Sequence, residues 1–123
     1  MATILIIDDE TQAQMRYKVA LEGAGYRVLT AENGKHALRL LEHQEVDLIL
    51  VDLLMPDMDG LDLIPLLRMA RSASKIIAIS GESGEWDYLD AARVLGAHAT
   101  LKKPFSLQEL LDAVAGQLKS PHP

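Results

Sequence analysis

The sequence contains no cysteine. That excludes disulfides, thiolate catalysis and cysteine-ligated zinc, and it fits a reducing compartment; a cytoplasmic location is expected. Positive charge is scarce as well. Twelve Lys and Arg stand against 18 Asp and Glu, a net charge of -6, so a general nucleic-acid surface is not expected. No basic stretch precedes the opening apolar run, and in "MATILIIDDE" that run breaks at Asp8-Asp9. It reads as neither a signal peptide nor a membrane span. The four histidines, His36, His43, His98 and His122, lack metal-ligand spacing and read as surface or structural residues.

What is present suits one folded domain. A chain of 123 residues can bury a core, and 49% hydrophobic with 24% charged residues is a globular composition. The domain is expected over residues 1–119. The closing residues 120–123, "SPHP", do not continue a helix easily and read as a tail or the start of a linker.

A short apolar run followed by a helical pattern occurs five times. The runs are Thr3 to Ile7, Tyr26 to Thr30, Asp47 to Val51, Lys75 to Ser80 and His98 to Leu101. The first, third and fourth are nearly continuous apolar runs, as in strands covered on both faces of a parallel sheet. The second alternates more and belongs nearer an edge. Between them, Ala13, Tyr17, Ala20, Leu21 and Ala24 share one helical face, with Gly23 and Gly25 as stops. Ala37, Leu38 and Leu41 mark a second helix capped by Asn33. Leu63, Ile64 and Leu67 mark a third, which Pro65 should delay or kink. Tyr88, Ala91, Ala92 and Leu95 mark a fourth, ending at Gly96. The fifth opens on an S-x-x-E capping box, Ser106 and Glu109, and carries the stripe Leu107, Leu110, Leu111, Val114 and Leu118. This alternation predicts an α/β fold with a parallel sheet and helices on both faces. Ligands of such sheets bind beyond the carboxyl ends of the strands.

Those ends carry the chemistry. The first run leads into Asp8-Asp9-Glu10, the third into Asp52, the fourth into Ser80-Gly81 and the fifth into Lys102-Lys103-Pro104-Phe105. If the first and third strands are neighbours, Asp8, Asp9 and Asp52 crowd together and at least one pKa rises. A hard divalent cation removes that conflict. Magnesium suits oxygen ligands and is commonly held by one or two carboxylates plus phosphate. Ser80, the Gly81 N–H and a lysine would neutralise phosphoryl oxygens. Asp52 is then the candidate nucleophile, already ionised near neutral pH and needing no base.

With "DD" at Asp8-Asp9, "VDLLMPDMDG", "SG" at Ser80-Gly81 and "KPF" at Lys103 to Phe105, in that order, the chain resembles the receiver domains of two-component response regulators. The likeness covers essentially the whole chain. It implies a doubly wound, five-stranded flavodoxin-like sheet of order 2-1-3-4-5. It implies that Asp52 accepts a phosphoryl group from a sensor histidine kinase or a histidine phosphotransfer protein. Asp9, Asp52 and the carbonyl of Leu54 would bind Mg2+, with Asp8 assisting through water, and Ser80 and Lys103 would contact the phosphoryl oxygens. Lys103 is preferred to Lys102 because it directly precedes Pro104 and because alternation lets only one of the two face the site. The Lys103-Pro104 bond would be cis. An unidentified downstream protein would be the target, with the chain a monomer or weak homodimer. Thr100 departs from the family pattern, which often has Tyr or Phe there, so the aromatic half of the usual switch is missing. Leu54, two residues after Asp52, would overhang the site.

Blander readings stand beside these. Asp57 and Asp59 read as turn and cap residues, and Trp86 as packing at a helix start rather than a partner anchor. A phosphohydrolase would want a second acid two residues after the nucleophile, where Leu54 stands. A flavodoxin-type cofactor site would want a Gly/Ser/Thr-rich loop, where "DDETQAQ" is acidic. A receiver-like interaction module that works without phosphate remains the alternative.

Overall fold

The computed structural model of the chain describes residues 1–54, 60–81 and 88–119. Asp57, Asp59, Trp86, His122 and the closing segment 120–123 lie outside the described residues. Strands and helices alternate as β1 Thr3–Ile7, α1 Thr11–Gly23, β2 Arg27–Ala31, α2 Gly34–His43, β3 Leu48–Asp52, α3 Gly60–Ala70, β4 Lys75–Ser80, α4 Tyr88–Leu95, β5 Ala99–Lys102 and α5 Leu107–Lys119. Every strand pairing is parallel, in the order β2-β1-β3-β4-β5. β3 and β4 are buried along their whole length, as their unbroken apolar sequences require of inner strands. The more alternating β2 is indeed an edge. Among the described residues, no helix is long and apolar enough to cross a membrane.

Strand parity divides the core in two. Leu5, Ile7, Ile49, Val51, Ile76 and Ala78 face α2, α3 and α4, where Leu41, Leu63, Leu67 and Ala92 meet them. Ile4, Ile6, Leu48, Leu50, Ile77 and Ile79 face the other way, against Ala13, Tyr17 and Leu21 of α1 and Leu110 and Val114 of α5. Each inner strand thus buries both sets of side chains, which is the main source of the sheet's stability.

The helix ends follow local chemistry. Asn33 accepts the His36 N–H at 2.8 Å, capping α2. Ser106 and Glu109 form both bonds of the capping box: the Glu109 N–H donates to Ser106 Oγ at 3.0 Å and the Ser106 N–H to Glu109 Oε1 at 3.1 Å. Gly96 follows α4 with φ +123°, a conformation that side-chain-bearing residues rarely adopt. Three expectations need correction. Ala24 is the exposed cap of α1 rather than part of its buried face. Helix α3 does not begin late; it starts at Gly60 and carries Pro65 inside it. Leu63, Ile64 and Leu67 are fully buried, and that burial outweighs the one N–H rung that proline removes. In α5 the buried stripe narrows to Leu110 and Val114, while Leu107 is exposed.

Candidate functional site

The carboxyl ends of β1 and β3 bring the acids together. Asp8 continues the parity of Ile4 and Ile6, and Asp52 that of Leu48 and Leu50, so both enter the α1/α5 side of the rim. Both are nearly inaccessible, 2% and 4% exposed, whereas Asp9 is exposed. One oxygen from each of Asp8, Asp9 and Asp52 lies within 4.8 Å of the others. Two of the carboxylates also organise the turns that follow them. Asp8 Oδ1 accepts the Glu10 N–H at 2.9 Å, and Asp52 Oδ1 accepts the Leu54 N–H at 2.9 Å.

Lys103 arrives from the far side of β4. Ala99 and Leu101 face the α1/α5 core, so alternation carries Lys103 to the same side while Lys102 faces solvent. The Lys103 N–H donates to the Ser80 carbonyl at 2.7 Å, and the Lys103-Pro104 bond is cis. Its Nζ donates to Asp52 Oδ2 at 3.1 Å. Phe105 then stacks on Tyr17 of α1, ring centroids 5.7 Å apart. Helix α1 therefore touches the turn that holds the lysine.

The electrostatics follow from burial and crowding. The Asp8 carboxyl is pushed up to about 6, first by burial, with the charges of Asp52 and Asp9 adding to it; the Glu10 N–H and Lys103 act the other way. Burial alone would lower the Lys103 ammonium, but the bond and the charge of Asp52 outweigh it, so the net direction is up. Two buried carboxylates and one exposed one thus share a single neighbouring lysine. Three oxygen donors around one point, one of them reluctant to ionise, are a donor set that suits a hard divalent cation.

Ser80 and Gly81 stand at the end of β4, while Thr100 and His98 lie elsewhere along the sheet. Ser80 is 1% exposed, and its hydroxyl donates to the adjacent Gly81 carbonyl at 3.3 Å rather than to a carboxylate. Space beside Gly81 is open: a Cβ there would meet no atom within 4 Å. The Leu54 side chain is half exposed, and its backbone N–H is the one that Asp52 Oδ1 accepts. Thr100 Oγ1 accepts a bond from Arg93 at 2.9 Å, which ties β5 to α4. His98 is structural, its Nδ1 accepting the Ile76 N–H at 3.0 Å. Sequence reasoning missed Gln14, whose side-chain amide donates to the Asp8 carbonyl and to the Ala31 carbonyl, the latter at 3.0 Å. The only signal in the sequence was a long amide one turn into the helix that follows the acidic pair.

The profile of the response regulator receiver domain family matches residues 4–115. The chain belongs to this family. Among curated relatives, this receiver is 31% identical to sporulation initiation phosphotransferase F of Bacillus subtilis, covering 90% of this chain and 89% of that protein. It is 37% identical to the DNA-binding transcriptional regulator NtrC of Azospirillum brasilense over 99% of this chain but 25% of NtrC. The chain spans about half or less of the length of several curated relatives it matches. Among solved structures, the receiver domain protein from Clostridium thermocellum superposes with a TM-score of 0.88 at 30% identity, covering 96% of this chain and 94% of that one. Receivers are signalling modules rather than enzymes in the usual sense, and they act with sensor histidine kinases or phosphotransfer proteins. They generally bind Mg2+ in an acidic pocket. In this receiver Asp8, Asp9 and Asp52 form a group able to hold a metal.

Proposed function

We propose that this receiver accepts a phosphoryl group on Asp52, in a Mg2+-dependent reaction, from a phosphohistidine on a sensor kinase or phosphotransfer protein. The observation that carries the reading is the placement of Asp52. Its carboxylate is buried, beside Asp8 and Asp9, with Lys103 Nζ at 3.1 Å. In the transfer, an Asp52 oxygen bonds to phosphorus as the P–N bond to the donor imidazole breaks, the electron pair remaining on that nitrogen. Bound Mg2+ would supply charge neutralisation to the phosphoryl oxygens; Asp9, Asp52 and the Leu54 carbonyl would hold it, with Asp8 assisting. Lys103 leaves its ion pair to meet one phosphoryl oxygen. Ser80 turns its hydroxyl from the Gly81 carbonyl to another. Leu54, two residues after Asp52, affects how readily water reaches the acyl phosphate.

The donor would dock on the α1 side of the rim. Met15 and Val19 of α1 and Leu107 of α5 are exposed, 56%, 62% and 44%, and with Gln12, Arg16 and Ala20 they line an open apolar groove of about 540 Å³. Arg16 and Leu107 also line the cleft that reaches Lys103, so the groove runs up to the reacting end. In this reading residues 1–119 are the receiver unit, 120–123 are a tail or the start of a linker, and the protein works in the cytoplasm on an unidentified protein target.

The test is direct. With Mg2+ and acetyl phosphate, intact-protein mass should rise by one phosphoryl group, labile to hydroxylamine. The gain should vanish in Asp52→Ala and in the presence of a chelator. A second reading, a partner-binding module that never carries phosphate, draws on Thr100, whose hydroxyl is engaged by Arg93 where an aromatic switch would stand. An unchanged mass with several phosphodonors would favour it and overturn the first.

A further inference from the structure

We propose that Gln14 is a positioning residue for the metal-binding acids, holding the Asp8-Asp9 backbone in the register that a cation requires. The inference rests on the Mg2+-dependent reading above. Asp8 lies one residue past the last ladder pair of β1 and β2, Ile7 with Ala31. Its N–H still donates to the Ala31 carbonyl at 3.1 Å. Among the described residues no further backbone bond from the sheet reaches the chain past that point. Gln14 takes over: its Nε2 donates to the Asp8 carbonyl and to the Ala31 carbonyl, so one amide group spans the ends of two strands. The carbonyl it holds belongs to the peptide that joins Asp8 to Asp9. Fixing that peptide fixes the direction in which Asp9 leaves the strand.

The residue type suits the task. A primary amide has two N–H donors on one nitrogen and can satisfy two carbonyls at once. It does so without charge. A lysine or arginine would also donate there but would bring a cation beside the acids, against the metal. Asp9 has special need of such help, because it is exposed and follows the strand rather than lying in it. Gln14 itself is anchored, since its own N–H donates to the Glu10 carbonyl at 3.1 Å in the first turn of α1. Groups that orient metal ligands from behind commonly change affinity by about tenfold or more when removed.

The test is Mg2+ titration calorimetry on the full chain at neutral pH, with urea unfolding run beside it. Gln14→Met keeps the length of the side chain and loses the donors; Mg2+ affinity should fall about tenfold. Gln14→Glu keeps the shape, turns acceptors toward two carbonyls and adds a negative charge near the metal. Positioning predicts weaker Mg2+ binding for it too. Tighter binding by Gln14→Glu, or wild-type affinity in a Gln14→Met variant that merely unfolds at lower urea, would overturn the proposal. If the wild-type protein itself takes up no Mg2+, the reading beneath it fails instead.

Discussion

Asp8 holds a carboxylate in a place where it is expensive to ionise. Its unfolded-state value near 3.8 rises to about 6 in the folded chain, chiefly through burial. Below about pH 4 both states carry the proton. Between about 4 and 6 the unfolded chain has lost it and the folded chain retains it, so folding stability falls as pH rises through that window. The metal-free protein should therefore lose on the order of 2 kcal/mol from this residue between pH 4 and 7, measured by urea unfolding across pH. Asp8→Asn should flatten the dependence, because the amide oxygen can still accept the Glu10 N–H and has no proton to lose. Mg2+ binding should show the opposite trend and weaken as pH falls through 6, since a protonated carboxyl is a poor ligand. Calorimetry at pH 5.5 and 7.5 would check it.

At the scale of the elements, boundaries are set by short-range devices. Gly96 ends α4 at φ +123°, and a Cβ there would come within 3.2 Å of Arg68 Cγ, whose guanidinium donates to the Gly96 carbonyl at 3.1 Å. Gly96→Ala should therefore cost about 1–2 kcal/mol in urea unfolding through backbone strain, with little effect on Mg2+ binding at the opposite end of β5. Such devices were largely legible in the sequence: the Asn33 cap, the Ser106–Glu109 box and the Gly96 stop each depend on residues three or fewer apart. Strand existence was legible for the same reason, from unbroken apolar runs, although β2, β3 and β5 each begin one residue later than their sequence patterns suggest. The start of α3 was placed too late because Pro65 is a local signal and the burial of Leu63, Ile64 and Leu67 is a tertiary one. The acids and Lys103 could be read from their strand ends. Gln14 could not, because its role depends on where β2 lies relative to β1, a relation that no local pattern encodes. The hydroxyl of Thr100 was likewise unreadable until α4 brought Arg93 beside it.

At the scale of the whole molecule, only the folded sheet assembles the three acids, so a cation held by them would couple its binding to folding. A cation that binds the native state alone stabilises it by mass action, about 2.7 kcal/mol at a hundred times its dissociation constant. For a domain of this size that corresponds to roughly 10 °C in melting temperature. The thermal midpoint should rise with Mg2+ by that order, and the rise should be lost in Asp9→Asn, an exposed position where the substitution itself disturbs little.

Strand parity also governs what kinds of genetic change the chain can absorb. Asp8, Asp52 and Lys103 converge because each lies an even number of steps from core residues on the α1/α5 side. One codon inserted within β1 or β3 would turn a carboxylate toward the wrong helical layer and invert every core side chain beyond it. Descendants of this sequence can exchange residues within the strands, but they can change length only between them.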